Sequence, residues 1–107
     1  MYQKYLVLYH LLNYCYENNC SDWDLPPLLG EMNPYLWEDR MPMDHAVYDE
    51  WYKKSNYIET TGDLKIAAIE FLESYERRYH FNFGETKNIL RELSDEKIND
   101  IISMVKE

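Results

Sequence analysis

"TTGDLKIAAIEFLESYERRYH", residues 60–80, decides the fold class. Thr60 and Asp63 stand three apart ahead of an apolar run. At that spacing a threonine hydroxyl accepts from the third amide of a helix while the acid reaches back to the cap amide. Beyond them Leu64, Ala67, Ala68, Phe71, Leu72 and Tyr75 recur at three- and four-residue intervals, one stripe of a long helix. Glu73 and Arg77, four apart, fall outside the stripe as a pair. "FNFG", residues 81–84, ends the pattern.

The same period appears on both sides. Residues 2–18 predict a first helix whose stripe is Tyr5, Leu8, Tyr9, Leu12 and Tyr16, with Gln3, His10, Asn13 and Glu17 on a narrow polar edge. Val7, Leu11 and Tyr14 widen its apolar surface, which places it centrally. "ENNCSD", residues 17–22, breaks the pattern; Ser21 or Asp22 can cap a short second helix with Pro26 near its start and Gly30 near its end. Residues 31–43 have no clear period, and Asn33-Pro34 and Pro42 mark turns there. Asp44 is placed to cap a third helix through about Ser55, with Val47, Tyr48, Trp51 and Tyr52 on one side. Asp49–Lys53 and Glu50–Lys54 stand at pairing distance on the other side. After residue 84 a short helix gathers around Ile89, Leu90 and Leu93. A last one starts at Ser94, carries Asp95 and Glu96 in its first turn, and buries Ile98, Ile101, Ile102 and Val105. No alternating strand pattern survives, and three glycines are few for a hairpin-rich protein. The expectation is an all-α fold, a compact single-domain bundle of five or six helices over residues 1–107.

A chain of 107 residues suits one domain, and 46% apolar content spread along its length argues against global disorder. No apolar run approaches the ~20 residues that span a bilayer, and no secretory signal is visible at the start. Cys15 and Cys20, five apart, read as two reduced thiols in a cytosolic setting. The net charge of −9 disfavours direct binding to nucleic acid or an anionic membrane. That charge is local. Residues 17–50 hold nine carboxylates against Arg40 alone, a net −8, so the rest of the chain is near −1.

The residues point away from catalysis. There is no glycine-rich phosphate loop, no paired-histidine metal motif and no serine in a nucleophile elbow. Asp22 and Asp24 begin like a calcium loop, but the glycine and glutamate that would complete it are missing. The expectation is no enzyme activity, no cofactor and no metal. His10 reads as a solvated or hydrogen-bonded histidine, His45 as a first-turn residue, and Cys15 as a small core residue.

"NPYLWEDRMPMDHAVYDEW", residues 33–51, combines two tryptophans and two tyrosines with five carboxylates. Trp37 and Trp51 can be core anchors under a solubilised loop. Alternatively, the stretch is a binding surface for a basic protein, with carboxylates steering and aromatic rings anchoring. A nucleic-acid mimic is a special case of the second. Residues 28–52, "LLGEMNPYLWEDRMPMDHAVYDEWY", resemble the Asn-Pro-aromatic, acidic, Asp-x-Ala-x-Tyr block of small helical immunity proteins from bacterial contact-dependent growth inhibition and related polymorphic toxin systems. The resemblance implies a cytosolic inhibitor of one cognate toxin domain, commonly a nuclease, acting by stoichiometric occlusion. The candidate partner-binding residues are Asp22, Asp24, Glu31, Tyr35, Trp37, Glu38, Asp39, Asp49 and Glu50. The alternative is a helical adaptor or regulatory domain that binds an unrelated basic cytosolic protein.

Overall fold

The computed structural model describes residues 2–18, 21–35, 45–55 and 58–105. Among them the chain forms six helices and no strand: α1 (Tyr2–Glu17), α2 (Leu25–Met32), α3 (His45–Ser55), α4 (Thr61–Tyr79), α5 (Gly84–Glu92) and α6 (Asp95–Met104). This is the all-α bundle that the periodicity predicts. The Thr60–Asp63 capping box is formed, with the Asp63 amide donating to Thr60 Oγ1 at 3.0 Å and the Thr60 amide donating to Asp63 Oδ2 at 3.2 Å. At the other end of α4, His80 turns left-handed (φ 59°) and its amide donates to the Glu76 carbonyl. Ser94 caps α6 by accepting from the Lys97 amide at 3.1 Å.

One core cluster joins the helices, and α1 is its axis. Tyr5, Leu8, Leu11 and Leu12 are fully buried, and α1 packs against α2, α3, α5 and α6. The second wall is α4, which meets α3, α5 and α6 with the stripe read from the sequence. The Tyr5 hydroxyl donates to the Met32 carbonyl and so satisfies the last residue of α2. Burial pushes that phenol far above the usual tyrosine range, with smaller contributions from Tyr75 and Tyr9. Trp51 is 1% exposed and packs edge-on against Phe71, with ring centroids 5.9 Å apart. It is a core anchor. Its indole N–H finds no hydrogen-bond partner among the described residues.

Three local expectations are corrected. Ser21 and Asp22 do not cap α2; Asp24 precedes that helix and makes no capping hydrogen bond with its side chain. The reason is chemical. A cap accepts from the second and third helical amides, and Pro26 and Pro27 occupy those positions without an N–H to give. Secondly, Glu50 lies 3.6 Å from Arg78 of α4 rather than pairing with Lys54, and Glu73 lies 3.6 Å from Lys87 of α5 while Arg77 reaches Ser74. Helix packing brings these cations closer than the i, i+4 partners. Thirdly, Tyr16 is 49% exposed, because the apolar stripe of α1 runs beyond the helices that cover it. The Asp44 cap and Cys20 lie outside the described residues, as do the side chains of Val47 and Tyr48.

Candidate protein-binding face

At nine residues α5 is too short to be stable alone, and its N-cap, Phe83, has no side-chain oxygen to offer. The missing acceptors come from elsewhere in the chain. Asp22 reaches across 64 residues of sequence: its Oδ2 accepts from the Thr86 amide and the Thr86 hydroxyl, both at 2.7 Å, and its Oδ1 from the Glu85 amide at 3.4 Å. Thr86 is wholly buried, so its amide and hydroxyl depend on these bonds. At the opposite end Lys65 donates to the carbonyls of Arg91 (3.1 Å) and Leu93 (2.6 Å). A carboxylate at the N-terminus and an ammonium at the C-terminus both complement the helix dipole.

The connection between α4 and α5 is satisfied in the same way. The Asn82 amide donates to Asp24 Oδ2 at 2.8 Å, the Phe83 amide to Glu76 Oε2 at 2.8 Å, and the Gly84 amide to Asn82 Oδ1 at 2.9 Å. Glu76 also accepts from Lys87 Nζ at 2.6 Å. Burial alone would raise the Glu76 pKa, but the Lys87 hydrogen bond, the Phe83 amide and the Lys87 charge together hold it below the usual carboxylate range.

Between the two pinning aspartates stands Trp23, 92% exposed. Ser21 donates to the Glu85 carboxylate, Asp22 holds α5, and Asp24 holds Asn82, so the backbone on both sides of the indole is tied to the α4–α5 connection. An exposed tryptophan on a tied backbone, beside carboxylates, is what a protein interface uses as an anchor. Sequence reasoning passed over it. The available signal was its place outside every apolar stripe, with prolines at the i+3 and i+4 positions where packing partners would stand.

Next to this loop lies a cleft of about 200 Å³ lined by Glu31, Tyr75, Tyr79 and Phe81. It belongs to a run of rings from Phe71 through Tyr75, Tyr79 and Phe81 to Phe83, with successive centroids 5.1, 5.5, 5.7 and 5.9 Å apart. A separate cluster joins Tyr35 to α1. His10 Nε2 and the Tyr35 hydroxyl lie 2.7 Å apart, and the Tyr35 ring meets Tyr9 edge-on. Burial lowers the His10 pKa, partly offset by the charge of Glu17.

The predicted partner-binding residues therefore separate. Asp22 and Asp24 organise the loop, with their carboxylates engaged inside the protein. Glu31 is exposed at the cleft, Tyr35 is half-exposed over α1, Asp49 is exposed on α3, and Glu50 meets Arg78. Trp37, Glu38 and Asp39 lie outside the described residues. No cluster of three or more His, Cys, Asp or Glu among the described residues could hold a metal ion, and no described helix is long and apolar enough to cross a membrane. Comparison with family models, curated proteins and solved structures gives no match to this chain.

Proposed function

We propose that this chain is an immunity protein, which binds a cognate bacterial toxin domain of basic surface, of the nuclease class, and neutralises it by stoichiometric occlusion. The observation that carries the reading is Trp23, 92% exposed on a loop whose flanking aspartates are hydrogen-bonded to Asn82 and Thr86. A backbone already tied in place lowers the loop's share of the ordering cost of binding. The local net charge of −8 in residues 17–50 supports a partner of opposite sign. A nuclease must attract polyanions, which makes its active face basic. The resemblance of residues 28–52 to immunity proteins points in the same direction.

The test is surface plasmon resonance against the toxin domain encoded by the adjoining upstream reading frame, across a salt series. Trp23→Ala should speed dissociation, weakening affinity by about 30-fold for an anchor worth about 2 kcal/mol. Charge reversal at Glu38 and Asp39 should slow association and flatten its salt dependence, while Trp37→Ala tests the second indole. Affinity indifferent to salt and to both tryptophans would overturn the reading. A basic cytosolic partner with no toxin gene nearby would favour the adaptor alternative.

A further inference from the structure

We propose that the cleft formed by Glu31, Tyr75, Tyr79 and Phe81 receives one arginine side chain of the docked protein. This rests on the reading that a basic protein binds here, and it names the chemistry of the contact. The cleft is about 200 Å³, below the few hundred Å³ that enclose a whole small-molecule ligand but adequate for one long side chain. Glu31 is its one charged lining residue; it is exposed, and its carboxylate has no hydrogen bond or ion pair to any other described residue. The other three lining residues are aromatic, graded from the 4% exposed Tyr75 to the 48% exposed Tyr79. One buried ring, one partly buried (Phe81) and one exposed, beside one carboxylate, suit a cation carried on an apolar stem.

Ring geometry chooses between the two cationic side chains. Tyr75 and Tyr79 are tilted by 35°, and Tyr79 and Phe81 by 32°, with centroids 5.5 and 5.7 Å apart. Such rings make a shallow terrace rather than the perpendicular walls of a cage for a round ammonium. A planar guanidinium can lie along the terrace and turn its fork of N–H groups to Glu31, a pairing open to arginine and not to lysine. The chain already uses this chemistry, with the Arg78 guanidinium 5.9 Å from the Tyr79 ring centroid. Arg78 does not line the cleft. The loop carrying Trp23 is tied through Asp24 to Asn82, the residue after Phe81, so anchor and cleft border one connection.

The experiment is NMR titration of the full chain with Nα-acetyl-arginine methylamide, Nα-acetyl-lysine methylamide and Nα-acetyl-citrulline methylamide. Citrulline keeps the planar shape and loses the charge. The arginine probe should shift the Tyr79 and Phe81 ring resonances saturably. The citrulline probe should bind about five-fold more weakly or worse, and Glu31→Gln should reduce arginine binding by a similar factor. Tyr79→Leu, at an exposed position, should weaken it without changing the fold, checked by circular dichroism. Equal binding of arginine and citrulline, tighter binding of lysine, or shifts confined to other residues would each overturn the proposal. Absence of any shift at probe concentrations of tens of millimolar would do so too. The outcomes separate from those of the inhibitor reading. Arginine binding with no toxin binding removes only the toxin partner; toxin binding with a silent cleft removes only the arginine receptor.

Discussion

Replacing Asp22 with alanine should destabilise the fold although the residue lies in a loop. The substitution removes an acceptor for the amide and hydroxyl of the buried Thr86 and for the amide of Glu85. Leaving a buried amide unsatisfied costs roughly 1–3 kcal/mol, and losing a negative charge at a helix N-terminus costs a further ~0.3–1 kcal/mol. The expected loss for Asp22→Ala is thus about 2–3 kcal/mol, within reach of the upper values seen for helix caps. For a domain this size that lowers the melting temperature by about 8–12 °C. Asp22→Asn keeps an acceptor oxygen and should lose about 1 kcal/mol. Urea denaturation followed by circular dichroism measures each change. A double-mutant cycle with Thr86→Val should show coupling of about 0.5 kcal/mol or more, since the hydroxyl and the carboxylate share one bond. The adjacent Trp23→Ala should change stability by less than about 0.5 kcal/mol, as an exposed side chain away from any cap or core contact. If Asp22→Ala also stays within that limit, or if the cycle is additive, Asp22 does not support α5 and does not tie the backbone beside Trp23.

Two further outcomes test the core and the electrostatics. Trp51→Ala should cost about 3–5 kcal/mol by thermal or chemical denaturation, because it empties a fully buried site against Phe71; a loss under 1 kcal/mol would mean that the indole is not packed as described. Acid should unfold the protein in part through Glu76. Its folded pKa is depressed, so its stabilising contribution is complete above the unfolded carboxylate value near ~4.3 and is lost as pH falls through the folded value. Glu76→Gln should therefore flatten the stability profile in that acid window, and an unchanged slope would refute the assignment.

Much of the candidate site could be read before folding, but not in its right roles. The acidic bias of residues 17–50 is a property of composition, and Glu31 and Asp49 remain exposed as an acidic surface requires. Asp22 and Asp24 look the same in the sequence and turn inward, because the amides that need them belong to residues 82, 85 and 86. Trp51 sits on the apolar side of a helix and is buried, whereas Trp23 belongs to no stripe and projects. The aromatic cleft joins α2 to the end of α4 and the residues beyond it, more than 40 positions apart, and no local spacing announces it.

Local chemistry determined the helices. Thr60 with Asp63, Ser94, and the recurrence of apolar side chains every three or four residues act within one or two turns, so order along the chain was enough to place α1, α4 and α6. Even the absence of a working cap on α2 was written locally, in prolines that lack the amides a cap would serve. Tertiary structure alone decided where the displaced carboxylates went, that α5 is held at both ends by Asp22 and Lys65, and that Glu50 meets Arg78. Hydrogen bonds and ion pairs reach only about 3–4 Å and are indifferent to sequence separation. Which partners come within that distance is set by how the described helices pack against α1 and α4.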